Sequence, residues 1–121
     1  MTTIPELFER VAGKVPEVRP KAGFGDNDSV LELGYSRRIG EWCLRYSDKQ
    51  GDGGPLPLVF ANMLIEAACW RLLPGYWWED QKLNSPGNRY VVHNSENSVA
   101  SRGASITEAL LLAVEQVHGG K

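Results

Sequence analysis

Apolar residues recur along the chain with two different periods, and the alternation between the periods divides it into elements. Ile4, Leu7, Phe8 and Val11 fall at helical spacing behind Thr3-Ile4-Pro5-Glu6. An early proline and an acid in the first turn suit a helix start, so a first helix is predicted there, weakening at Gly13. Residues 15–28 change to Pro, Gly, Asp and Asn and read as a loop. Residues 30–33 and 41–46 read as two strands. In the second, Trp42, Leu44 and Tyr46 alternate with Cys43 and Arg45, and the connection between the strands carries Arg37 and Arg38. A polar, glycine-rich break follows over residues 47–55.

The strongest apolar run is residues 57–73. Its apolar residues nearly encircle a helix and leave Asn62, Glu66 and Arg71 as a narrow polar stripe. Such a helix is expected to be covered on more than one side, by a sheet and by the first or last helix or a second subunit. Pro74-Gly75 ends it, because proline cannot continue a helix and glycine takes a left-handed turn at little cost. Residues 76–83 and 89–94 then read as a β-hairpin around Ser85-Pro86-Gly87-Asn88, where Pro-Gly suits the centre of a type II turn. Ser105-Ile106-Thr107-Glu108 is a capping box in front of an apolar run, so a last helix should begin at Ser105 and stop at Gly119-Gly120.

The order helix, two strands, helix, two strands, helix predicts an α+β fold with helices packed on a small antiparallel or mixed sheet. With 121 residues, 42% of them apolar, the chain suits a single domain, residues 1–29 supplying a helix and loop and residues 30–121 the core. A formal charge of −2 argues against binding long nucleic acid, while leaving room for a small anion. No leading apolar segment or bilayer-length run is present, so a cytoplasmic protein without membrane contact is expected. Cys43 and Cys69 sit among apolar neighbours and read as buried small side chains rather than a disulfide.

Chemistry is sparse. His93 and His118 have no partner at metal-ligand spacing, so neither a metal nor another cofactor is expected. Glu79 and Asp80 are adjacent and would face apart in a strand. Gly-Phe-Gly within residues 23–28 leads into no helix pattern and is not a dinucleotide fingerprint. Glu66 sits in an apolar surround that would raise its pKa, or else marks the helix's wet edge. An enzyme is not expected; a hydrolase acting through Glu66 or His93 is the weakest reading.

Two features point to binding instead. Residues 93–105, HNSENSVASRGAS, end at a predicted helix N-terminus. There free amides and the helix dipole favour an anion, with Arg102 beside them and hydroxyls from Ser101, Ser105 and Thr107. The alternative is that Ser105 and Glu108 merely cap the helix, that Arg102 points into water, and that Asn94 and Asn97 are turn residues. The second feature is Trp77-Trp78. In a strand one indole enters the core and the other is left to stack on a flat ligand, or to pack under a loop or across a homodimer.

LPGYWWED, RYVVHN and GASITEALLLAVEQV give residues 56–118 a pattern that resembles small bacteriophage-encoded α/β proteins of the phage ABA-sandwich sort. The Thoeris anti-defence proteins are of similar size, and the resemblance implies a phage accessory protein in the bacterial host cytoplasm that traps a cyclic ADP-ribose-type signal without cleaving it. Trp77, Trp78, Asn94, Asn97, Arg102 and Ser105 are the expected ligand contacts. The function expected is thus non-enzymatic sequestration of a small anionic, nucleotide-like ligand by a homo-oligomer. The alternative is a protein-interaction module that inhibits a host or defence protein through an exposed aromatic patch.

Overall fold

The computed structural model describes residues 3–23, 30–46 and 54–119. In chain order these form α1 (Ile4–Lys14), β1 (Lys21–Gly23), β2 (Val30–Ser36), β3 (Glu41–Tyr46), α2 (Leu58–Leu72), β4 (Trp77–Asp80), β5 (Tyr90–His93), β6 (Val99–Gly103) and α3 (Ile106–His118). The α+β class holds, and so does the alternation of helices with strand pairs. Each pair gains a third strand, and the strands make two antiparallel sheets, β1-β2-β3 and β4-β5-β6, rather than one. Contacts within the chain gather in two compact units, Met1–Val18 with Glu66–Lys121, and Arg19–Ile65.

In the first unit α1 packs along α3. Leu7, Phe8, Val11 and Ala12 are buried on one, and Ala109, Leu110, Leu111, Ala113 and Val114 on the other. At the edge of this seam Glu115 accepts from Arg10 Nε at 2.8 Å and Nη2 at 2.9 Å, and from Lys14 Nζ at 3.2 Å. The other side of α3 lies on the sheet. There the Ser101 hydroxyl donates to the Ala109 carbonyl. Gly103 comes so close that a β-carbon on it would sit 2.8 Å from the Ala109 nitrogen. Both helices are capped as their sequences dictate: Thr3 Oγ1 accepts from the Glu6 amide, and Ser105 Oγ from the Glu108 amide. The His118 ring bonds the Leu72 carbonyl at 2.6 Å, one of the carbonyls that the end of α2 leaves unpaired.

The second unit is built on β2, which pairs with β1 through Glu32↔Lys21 and with β3 through Leu33↔Leu44 and Tyr35↔Trp42. Tyr35 and Trp42 meet edge to face at 5.3 Å. Arg37 and Arg38 are exposed in the β2–β3 turn, which closes through the Gly40 amide on the Ser36 carbonyl, with Gly40 at φ +69°.

Expectations of local structure are corrected at several places. Residues 15–28 are not all loop: Pro16–Val18 is a 3₁₀ turn with Val15 and Val18 buried, and β1 follows. Its partner β2 is longer than residues 30–33 suggested. The polar stretch of residues 93–105 holds a strand that the sequence pattern did not show, because β6 lies within it. The small residues Ala100, Ser101 and Gly103 hide a strand that must pass close under α3. The segment Ser85-Pro86-Gly87-Asn88 forms a 3₁₀ turn over Pro86–Asn88 and not a type II turn. A type II turn needs positive φ at Gly87, and among the described residues only Gly40, Gly75 and Asn97 have it. Gly75, at +83°, ends α2 as predicted. Residues 24–29 and 47–53, covering most of GFGDND and of the glycine-rich break, lie outside the described residues.

The two faces of α2 differ in burial. Ala61, Ile65, Ala68 and Cys69 are buried, yet Val59, Phe60, Met63 and Leu64 on the opposite face are exposed, Val59 at 61%. Within the single chain the cover lies on one side. Cys43 and Cys69 are fully buried, and burial, aided by the nearby Glu66 charge, pushes the Cys69 thiol up to about 12. Among the described residues no helix is long and apolar enough to cross a membrane.

Candidate functional site

The polar chemistry of the first unit collects on one face of the β4-β5-β6 sheet. The register pairs Trp77 with His93, and Glu79 with Val91 and then Arg102. Because strand side chains alternate, Trp77, Glu79, His93 and Arg102 share this face, while Trp78, Val92 and Ser101 share the other with α3.

Trp77 stacks on His93 with ring centroids 4.1 Å apart and planes 12° from parallel. Its Nε1–H donates to Asn97 Oδ1 at 3.0 Å. Asn97 is placed to accept because the β5–β6 turn is wound tightly around Asn94, whose Oδ1 accepts from the Glu96 and Ser98 amides at 2.9 and 3.0 Å. That turn holds Asn97 in the left-handed region, φ +66°, which asparagine tolerates. Held from two sides, the indole is still 40% exposed.

Below it runs a row of hydrogen bonds. His93 Nε2 lies 2.8 Å from Glu79 Oε1, and Gln81 Nε2 donates to the same oxygen at 2.5 Å. Gln81 Oε1 accepts in turn from Asn84 Nδ2 at 2.5 Å and, weakly, from Arg102 Nη1 at 3.4 Å. The bonds from Gln81 and then His93 hold the Glu79 carboxyl below its ordinary range, with the Arg102 charge assisting. The His93 side chain is 9% exposed, and its Nδ1 has no hydrogen-bond partner among the described residues. On the opposite face Asp80 forms a two-pronged ion pair with Arg89 at 2.6 and 2.8 Å, which lowers the Asp80 pKa. Glu79 and Asp80 thus face apart, as adjacent strand residues must.

The expected division of the two indoles does not occur. Trp78, 45% exposed and 6.1 Å from the Tyr90 ring, enters the core no more than Trp77 does. β4 is an edge strand, and the core positions of this sheet belong to Val91 and Val92 on the central strand.

Of the six expected ligand contacts, Trp77 and Asn97 bond directly, Asn94 shapes the turn that holds Asn97, and Arg102 joins the row through Gln81. Trp78 is on the other face. Ser105 is engaged as the α3 cap, and the Glu108 carboxylate reaches back to the Ala104 amide at 3.2 Å, so the helix start is filled by the chain's own anion. Ser101 is bonded to Ala109 and Thr107 is buried. Glu79, Gln81 and His93 were missed as a group. The period-two alternation of Trp77, Glu79 and Gln81 was visible, but His93 joins them only through the hairpin register. Burial alone raises the Glu66 pKa, and among the described residues no three His, Cys, Asp or Glu side chains converge as a metal site would require.

No protein-family model, curated protein or solved structure matches the chain.

Proposed function

We propose that this is a non-enzymatic binding protein that holds a small, flat, nucleotide-like ligand on the Trp77 face of the β4-β5-β6 sheet. The observation that carries the reading is the fixed but exposed Trp77 ring. A surface indole usually loses rotamer freedom when a ligand stacks on it; one already fixed by His93 and Asn97 avoids most of that cost. Planar bases stack well on such a ring. Arg102, exposed on the same face, adds a guanidinium held among the described residues by a long bond to Gln81. A phage accessory role, trapping a cyclic ADP-ribose-type signal in the host cytoplasm, belongs to the same proposal.

The test is a thermal-shift panel of nucleoside monophosphates, ADP-ribose derivatives and inorganic phosphate. A ligand at a hundred times its Kd should stabilise the protein by about 2.7 kcal/mol, and Trp77→Ala should abolish the shift. No shift with any of them overturns the reading.

A second reading rests on α2. Exposed Val59, Phe60, Met63 and Leu64 form an apolar face of the kind that marks a protein interface, and a second copy of the chain is the occupant proposed. Sedimentation should then show a dimer that Met63→Glu dissociates; a monomeric parent protein rejects this reading.

A further inference from the structure

We propose that the outer edge of β4 takes an added strand: an extended basic peptide, antiparallel to β4, with one arginine against the free face of Trp77 and a second, two residues away, opposite Glu79. The proposal shares the Trp77 ring with the ligand reading but does not depend on it, because it stands on the backbone of the edge.

The ladder shows which backbone groups are open. The Gln81 amide donates to the Arg89 carbonyl at 2.7 Å, straight across the β4–β5 register. Bonding toward one neighbour falls on every second residue of an antiparallel strand, so Trp77 and Glu79 also turn their N–H and C=O groups to β5. Trp78 and Asp80 turn theirs outward. β4 is an outer strand of its sheet, and no hydrogen bond from the described residues reaches those outward groups. Such a row of unpaired donors and acceptors is a template for one more strand.

The side chains determine which strand fits. His93 covers one face of the Trp77 indole from the β5 side, so the other face is turned away from β5, over the open edge. A residue set opposite Trp77 by an added antiparallel strand falls in a pair without backbone bonds, where Cα atoms are about 4.5 Å apart and side chains are closest. It lies against the free indole face, and a cation is the charge that an indole face attracts. The next residue on the same side of the added strand stands opposite Glu79, a carboxylate whose side chain is 41% exposed, and a cation is favoured again. Asp80, on the other face, is already neutralised by Arg89, so the position opposite it needs no charge.

A second copy of the chain fits this edge poorly. Pairing β4 with itself about a two-fold axis centred on Trp78 sets Glu79 against the Trp77 ring. Centred on Glu79 or Asp80, it sets an acid opposite the same acid. Centred on Trp77, it calls on the Tyr76 amide, which already donates to the Leu73 carbonyl at 3.1 Å.

The experiment is titration calorimetry of the whole chain with acetyl-Thr-Arg-Thr-Arg-Thr-amide, and with the same peptide carrying glutamate for both arginines. The arginine peptide should bind and the glutamate peptide should not. N-methylation of the middle threonine, whose amide faces Trp78, should weaken binding by about tenfold or more, whereas N-methylation of an arginine, whose amide faces outward, should change it by less than about threefold. Trp77→Ala should weaken the arginine peptide by about threefold or more. Amide hydrogen exchange supplies a readout that needs no variant of the protein: the Trp78 and Asp80 amides should gain protection with the peptide, while those of Trp77 and Glu79 are protected before it is added. No binding of the arginine peptide, equal binding of the glutamate peptide, or equal loss at the two N-methylated positions overturns the proposal. Trp78 and Asp80 amides protected in the free chain at rising protein concentration would mean that a second copy holds the edge, and would overturn it too. The ligand reading is decided separately, by the nucleotide panel.

Discussion

Trp77 lies flat on His93, 4.1 Å between ring centroids, because the two residues are direct partners in the β4–β5 ladder. A cross-strand stack between an edge strand and a central strand fixes the ring that it exposes. Trp77→Phe keeps the stack and loses the bond to Asn97, and should cost about 1 kcal/mol. Trp77→Ala loses both, and should cost about 2 kcal/mol or more. Urea midpoints at unchanged slope are the measurement.

Glu115, bonded first to Arg10 and then to Lys14, has a pKa below its ordinary value of 4.5. A carboxylate depressed by folding contributes stability that is present above its unfolded pKa and is lost as pH falls through the lower, folded one. Stability should therefore decline below about pH 4.5. Glu79 and Asp80, also lowered, act in the same direction. Glu115→Gln should be less stable than the parent at pH 7 and show a shallower acid decline in denaturant midpoints measured from pH 7 to 3.

Gly103 is where the sheet touches α3. An added methyl group would meet the Ala109 backbone nitrogen at 2.8 Å and the Glu108 Cβ at 3.1 Å, neither of which is the loose end of a side chain. Gly103→Ala should destabilise by about 1–3 kcal/mol, readable as a lowered melting temperature.

Ser105 closes the first turn of α3 by accepting from the Glu108 amide at 3.2 Å. Removing that acceptor with Ser105→Ala should cost about 1 kcal/mol, with loss of hydrogen-exchange protection concentrated in the first turn of the helix.

The two faces of α2 should respond in opposite ways. Ile65 is fully buried, and Ile65→Ala should cost about 2–5 kcal/mol. Met63, two residues earlier and 58% exposed, should tolerate Met63→Lys within about 0.5 kcal/mol in the monomer. Paired chemical denaturation curves at low protein concentration make the comparison.

Elements with strong local chemistry were readable without coordinates. Thr3 and Ser105 announced helix starts, Pro74-Gly75 announced a stop, and the alternation in Glu41–Tyr46 announced a strand. Elements defined by a neighbour were not. β6 is made of Val99, Ala100, Ser101, Arg102 and Gly103, a polar string that is a strand because Tyr90–His93 lies beside it and because small side chains let α3 approach. The site divides the same way. Trp77, Asn97 and Arg102 were picked out by residue type, whereas His93 and Glu79 depend on a ladder register that composition does not encode. The anion cradle read at Ser105 met a competitor seen only in three dimensions, the Glu108 carboxylate folded back onto Ala104.

Each compact unit carries one enclosed thiol, Cys43 in one and Cys69 in the other, both shut away from solvent and Cys69 strongly disfavoured as a thiolate. An alkylating reagent can therefore modify them only when the surrounding structure opens. The pace of modification at each position, read by mass spectrometry, becomes an intrinsic clock for how often each half of the chain breathes.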